Sequence, residues 1–471
     1  MLTIFLFRDD LRLEDNPGFT KAARSGPVLP LYVLDDAAMT DDLDDPHRLG
    51  GAARWWLHHS LASLDGALRE RGSRLTVMRG DPFVIVTDLV RSTNAAAVHL
   101  SRGYSPWDVE LERRLNETLA ADGKILRRFG GRLLFEPESV STKSGDPFKV
   151  FTPFWRACQT LDDPSGHTAP PDDVAAPDSS PDGVAIDTLG LLPHDPDWST
   201  GIAAAWQPGE AGARIRLENF LDDAADDYGK GRDVPSIAGT SRLSPHLRWG
   251  EISPRTIWQA VRQRTPQPRG AEAYLRELGW RDFCHHLLFH FPTMPVSPMR
   301  EPFDAIDWCN DAQDIRRWQR GRTGYPIVDA GMRELWRTGW MHNRVRMAAA
   351  SFLVKHLLTD WRIGAAWFMD TLVDADPANN SAGWQWVTGC GTDAAPYFRV
   401  FNPTLQGEKF DADGAYVRHW LPTLGDVETK YIHKPWEAPA DAQPDYPPPI
   451  VDHKTARQRA LDRFGVVKSA S

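Results

Sequence analysis

Long apolar runs are absent from the 471-residue chain. No window approaches the roughly 18 consecutive apolar residues that a membrane span requires, so no bilayer-spanning segment is expected. Cysteine is scarce. The 4 present, Cys158, Cys284, Cys309 and Cys390, lie far apart without C-x-x-C spacing, which argues against a disulfide framework and a structural zinc site; no metal is expected. The opening MLTIFLFRDDLRLEDN meets charge at Arg8 and has no small-residue cleavage site, so it reads as a first strand rather than an export signal, and a cytoplasmic protein is expected. Positive charge is also short. With 54 basic against 64 acidic residues the net charge is −10, which excludes coating of nucleic acid by bulk electrostatics; any DNA contact needs a local basic patch. No G-x-G-x-x-G follows the first strand, so a dinucleotide is not held there in the usual Rossmann manner. No internal repeat is visible.

What the chain does have is length and tryptophan. Its length exceeds the size at which one hydrophobic core stops growing, so at least two domains are expected. Its 19 tryptophans exceed what core filling demands, and indoles also stack on bases and flavins and carry electrons. Up to residue 135, apolar runs (TIFLF, VLPLYVL, RLTVM, AAVHL) alternate with amphipathic stretches at 52–71, 82–92 and 108–121. This predicts an α/β domain with a Rossmann-like parallel sheet. Residues 136–212 are expected to link the domains, because 162–208 is rich in Pro, Asp, Gly and Ser and should wrap on the surface. From 213 to 471 strand signals nearly vanish and apolar residues recur at spacings of three and four, notably at 331–358 and 363–372, so an all-helical domain is expected.

Four segments could carry chemistry. GTSRLSPHLRWGEISPR, at 239–255, sets Thr240, Ser241 and Ser244 around Arg242 at the mouth of a helix, which suits an anionic phosphate group or serves as a plain capping segment. ELGWRDF puts Glu277, Trp280 and Arg281 on one helical face, beside the apolar FCHHLLFHF, where charge is costly unless used. TGWMHNRVRM turns Asn343 and Met347 to one face and sends Arg344 and Arg346 elsewhere; a core Met with a capping Asn is the ordinary alternative. In VDADPANNSAGWQW, Asp374 and Asp376 precede Asn379, Asn380, Trp384 and Trp386. That loop lacks the oxygen ligands of a metal site and better suits an organic cofactor with ring nitrogens and hydroxyls.

These segments, with FRDDLRLEDN, TGYPIVDAGMR, FNPTLQGEKF and PIVDHKTAR, resemble the photolyase/cryptochrome flavoprotein family along nearly the whole chain, most closely the microbial class I and class III cyclobutane pyrimidine dimer photolyases. The resemblance implies an α/β antenna domain followed by a helical domain holding a folded FAD. The FAD site would comprise Tyr228, Thr240, Ser241, Arg242, Leu243, Ser244, Glu277, Arg281, Asn343, Asp374, Asp376 and Asn380. A pyrimidine dimer flipped from duplex DNA would enter a pocket walled by Trp280 and Trp386, with Glu277, Asn343 and Met347 against it. Photoexcited reduced flavin would donate an electron that splits the ring and then returns. Trp384, Trp361 and Trp308 would form the chain that reduces resting flavin from the surface.

The resemblance further implies a monomer with DNA contacts from Trp280, Arg344, Arg346, Trp386, Arg399 and the RRWQRGR run at 316–322. It implies a second, antenna chromophore, methenyltetrahydrofolate rather than 8-hydroxy-5-deazaflavin on the LVDADPANN likeness, although the Asn–Glu pair that holds a folate in some relatives is not evident. Repair of the 6-4 photoproduct is disfavoured by Asn343 and Met347, where that branch carries histidines. A blue-light-sensing cryptochrome without repair activity is the alternative; Asn380 and the lack of a long regulatory tail lean against it. Gly279 and Cys390 depart from the family pattern.

Overall fold

The computed structural model describes residues 1–164, 166–265, 268–393 and 399–469. Its first part is a five-stranded parallel sheet in the order β3-β2-β1-β4-β5, with β1 at Thr3–Phe7, β2 at Val28–Leu34, β3 at Thr76–Arg79, β4 at Ala97–Ser101 and β5 at Ile125–Phe129. The central strands β1 and β2 are buried throughout, as continuous apolar runs between helical layers must be. Helices α1 (Pro17–Ser25), α2 (Gly51–Arg69), α3 (Pro82–Thr93) and α4 (Pro106–Ala121) cover the faces.

Two of these elements escape a reading by pattern. The edge strand β5 has the sequence ILRRF, and its two arginines break the apolar run as edge strands commonly require. Helix α1 has only 9 residues; the Asn16 side chain accepts from the Phe19 N–H at 3.0 Å and Pro17 opens it. The Pro-rich segment also differs from a loose surface linker. Val174, Leu189, Leu191 and Trp206 are buried, the Val174 N–H donates to the Arg71 carbonyl, and the Val184 N–H donates to Val77 on the open edge of β3.

The second part is helical. The periodicity at 331–358 is divided among the helices Pro326–Thr338 and Asn343–Ser351 and a π-helical turn, Phe352–His356. Gly339, at φ 68°, ends the first helix, and the Val373 side chain fills the space a Cβ would need.

The two parts interlock. Gly250, at φ +66°, lies so close to strand β1's exit that a Cβ would stand 2.1 Å from the Asp9 carbonyl oxygen. Arg255 pairs with the buried Asp15 at 2.7 Å, and the Asp282 carboxylate accepts from the N–H groups of Leu134 and Phe135 at 2.8 and 3.0 Å. Burial pushes the Asp282 carboxyl up to about 7, with Arg281 opposing. A carboxyl raised on folding stabilises most below its unfolded value and loses that contribution as pH rises through the folded one. Thermal melting from pH 4 to 8 should therefore show the wild type losing stability relative to Asp282→Asn; parallel profiles would contradict the assignment.

Candidate active site

A cavity of about 390 Å³ opens in the helical part. Ser241 and Ser244 come from the coil before the short helix Ser244–Arg248 and from its start, Glu277, Trp280 and Arg281 from the helix Pro268–His290, and Asn343, Arg346 and Met347 from Asn343–Ser351. Asp374 and Asp376 sit in the turn before the helix Pro377–Thr388, which adds Asn380 and Trp384. Tyr228, also expected from the sequence, lines the space, as do Trp340, Tyr274, Phe368 and Gly383.

Charge is arranged around the 374–376 turn. Asp374 accepts from Arg346 at 2.8 Å and from the Ser244 hydroxyl at 2.6 Å. Asp376 caps its helix through the Asn379 N–H at 2.7 Å and faces His285 at 3.4 Å. Burial pushes the Asp376 carboxyl up, but His285, Arg248 and Arg281 outweigh it and hold it well below the usual carboxylate range. Elsewhere in the lining Glu277 accepts from Arg232, and Trp280 stacks on Phe151 with ring centroids 3.7 Å apart. Asn343 Nδ2 lies 4.0 Å from Met347 Sδ, so these two share a face as their spacing predicts.

Several expected residues lie elsewhere. Thr240, Arg242 and Leu243 do not line the cavity: Leu243 is in the core, and the Arg242 guanidinium is held between Trp340 at 4.4 Å and Trp206 at 5.2 Å. Trp386 is not in the lining either. Two positions on from Trp384, about 200° round the helix, it is half-buried against the helical core. Arg346, expected to project away, points inward to Asp374. Arg344 is paired with Asp233 at 2.8 and 3.0 Å, so its charge is partly neutralised. Arg399 and the arginines at 316, 317, 320 and 322 are exposed, whereas Trp318 within that run is wholly buried. The departure at Gly279 has a physical reason, since the Trp155 ring occupies the place of a Cβ at 2.4 Å.

Of the three hopping candidates two are buried and one is partly open to solvent. Trp384 is buried beside the cavity with its ring 5.0 Å from Phe368, Trp361 is buried at the start of the helix Trp361–Thr371, and Trp308 is half-buried.

A second cavity, of about 520 Å³, lies outside the C-terminal ends of β1, β2 and β4, where the strand order reverses and ligands of open α/β sheets commonly bind. Arg8, Asp9, Asp35 and Trp107 line it, with His47 stacked on Trp107 at 4.6 Å. Arg248, Ala375 and Asp376 line both cavities. Missed by the sequence reading, Arg248 and Trp340 stand within the SPHLRWG and GWMHNR blocks already singled out there.

Residues 3–175 match the family described as DNA photolyase, and residues 274–466 match the FAD binding domain of DNA photolyase. The chain is 48% identical over 99% of its length to a deoxyribodipyrimidine photo-lyase of Agrobacterium fabrum, covering 98% of that protein. The chain belongs to the photolyase/cryptochrome family. The chain is also similar, with a TM-score of 0.94 and 48% identity over 99% of its length and 98% of the other chain, to the crystal structure of a bacterial class III photolyase from Agrobacterium tumefaciens. Cryptochrome-1 of Arabidopsis thaliana is 36% identical over 100% of this chain and 71% of the plant protein. Among the described residues no helix is long and apolar enough to cross a membrane, and no group of three or more His, Cys, Asp or Glu could hold a metal ion.

Gly364 offers a direct probe of the cavity. A Cβ there would meet ring carbons of Trp384 at 2.1 and 2.4 Å. Gly364→Ala should displace that ring at a cost of about 1–3 kcal/mol and lower the flavin content of purified protein, read as the ratio of visible to ultraviolet absorbance. Unchanged flavin content would contradict this packing.

Proposed function

We infer that the protein repairs cyclobutane pyrimidine dimers in DNA, with FAD in the cavity of the helical part and light as the source of energy. The observation that carries this reading is the convergence on one cavity of two chemistries. The hydroxyls and carboxylate of Ser241, Ser244 and Asp374 share its lining with Glu277, Trp280, Asn343 and Met347.

The residues present fit the cofactor. Nothing lies within 4 Å of a Cβ built on Gly383, so that residue leaves open a cradle that any side chain would invade. Ser241 and Ser244 offer small donors suited to a diphosphate, Asp374 an acceptor for a ring N–H, and Trp384 an aromatic face. Held by these residues, FAD would supply the photochemistry when bound: an electron lent to the dimer from the reduced, excited ring and regained once the cyclobutane ring has opened. The chain's own residues do the rest. Trp280 and Met347 give the extruded bases an apolar seat, Asn343 reads a base carbonyl, and Glu277 stabilises charge that appears on the lesion only after electron transfer. Phosphate contacts from Arg344, Arg399 and the 316–322 run would hold the duplex without reading sequence, although Arg344 must share its charge with Asp233.

The cavity at the sheet's C-terminal edge suits a second, antenna chromophore, with the His47–Trp107 pair as a stacking platform. Methenyltetrahydrofolate remains the preferred occupant. A sensory role without repair is the second reading, favoured by the 36% identity to Cryptochrome-1 over the whole chain.

Illuminating the reduced protein with DNA that contains cyclobutane thymine dimers should restore thymine absorbance, and Glu277→Gln should lower the yield while flavin stays bound. No recovery with flavin bound and reduced would turn the assignment to the sensory reading. Trp361→Phe should block photoreduction of oxidised flavin yet leave repair intact after chemical reduction; normal photoreduction in that variant would refute the tryptophan route.

A further inference from the structure

The turn that carries Asp374 and Asp376 is held by a neighbouring helix of the same part, which is itself tied to the sheet domain. Arg248 Nε donates to the Ala375 carbonyl oxygen at 2.7 Å, and the Trp249 indole N–H donates to Val373 at 3.3 Å. Arg248 Nη1 in turn lies 2.8 Å from the carboxylate of Asp9, the second residue after β1. The same carboxylate meets Arg132, whose carbonyl oxygen accepts from Arg281 at 2.7 Å. Asp9 thus sits between the guanidinium of Arg248, which holds the Ala375 carbonyl, and that of Arg132, whose own carbonyl receives Arg281.

We propose that Asp9 and Arg248 form a positioning pair for the flavin site, fixing from the sheet domain the orientation of the 374–376 turn. The proposal rests on the reading that FAD occupies the Asp374-lined cavity. Three observations support it. Arg248 is the one side chain donating to the carbonyl between the two aspartates among the described contacts. Ala375, Asp376 and Arg248 form the wall shared with the second cavity, so the wall has no thick packing behind it to hold the turn. The backbone on either side of the pair is locked, because Leu11 N–H donates to the Trp249 carbonyl at 3.0 Å and Gly250 admits no side chain against Asp9. Burial pushes the Asp9 carboxyl up, but Arg248 and Arg132 outweigh that and hold it at about 2, so the pair is ionised throughout the physiological range.

Without Asp9's charge, Arg248 is left to Asp376 as its nearest remaining anion on the flavin side, and the guanidinium that fixes Ala375 is drawn off its bond. A change of this kind alters the electrostatic setting of the bound flavin and not only the stability of the domain contact.

The test measures FAD affinity by fluorescence titration of apoprotein, and the visible circular dichroism of the bound flavin. Asp9→Asn should weaken FAD binding about tenfold, the loss expected for one charge-assisted hydrogen bond, and change the shape of the dichroic band. Arg248→Lys keeps the charge but cannot reach both Asp9 and Ala375, and should change the band in the same direction; it answers the question if Asp9→Asn does not fold. Arg255→Gln removes a different interdomain pair, Arg255 with Asp15, and should lower the melting temperature while leaving affinity within about twofold and the band unchanged. Wild-type affinity and spectrum in both Asp9→Asn and Arg248→Lys, or an equal shift in Arg255→Gln, would overturn the proposal alone. A wild type that takes up no FAD would overturn the site reading as well.

Discussion

Two carboxylates held away from water beside an apolar cavity, Asp374 and Asp376, set the main constraint on this molecule. Ionised groups in such a place are tolerated only if cations and donors surround them. Arg346 and Ser244 answer Asp374; His285, Arg248 and Arg281 answer Asp376. Those partners come from three separate helices, Ser244–Arg248, Pro268–His290 and Asn343–Ser351, so satisfying one short turn brings together the helices that wall the cavity. Arg248 and Arg281 also reach the sheet domain, through Asp9 and the Arg132 carbonyl, and charge compensation therefore joins domain docking to site geometry.

Space is kept open by a different device. Trp384 can pack against its neighbouring helix because Gly364 has no side chain, Gly383 leaves the space beside it clear, and Gly279 admits the Trp155 ring. Large rings and absent side chains are complementary, and each glycine lies on a helix, where its conformational cost has to be matched by packing. The tryptophan excess thus has at least two sources: rings such as Trp318 are plain core, whereas Trp280, Trp340 and Trp384 face the cavity.

Much of this was legible in the sequence, for identifiable reasons. Buried parallel strands write themselves as unbroken apolar runs, so β1 and β2 were plain, while β5 was hidden by Arg127 and Arg128 at the sheet edge. Residues on one helical face, such as Asn343 with Met347 and Glu277 with Trp280, follow from a spacing of three or four. What spacing does not supply is rotation relative to the rest of the molecule. Trp386 was placed on the pocket wall with Trp280, although it is Trp384, about 200° away round the same helix, that lines the cavity, and Arg346 was sent outward because nothing local foretells Asp374, 28 positions later. Arg242 was drawn toward a phosphate by its neighbours, but the indoles that hold it are distant in sequence. Long-range partners, not local pattern, decided each of these cases.

The central claim is that a lesion in the Glu277-walled cavity lies close enough to FAD to receive an electron after excitation. Time-resolved fluorescence of the fully reduced flavin tests it most directly. The excited-state lifetime should shorten when DNA containing a cyclobutane dimer is added and stay unchanged with undamaged DNA of the same sequence. Equal lifetimes in the two complexes, with binding of both verified, would contradict the account.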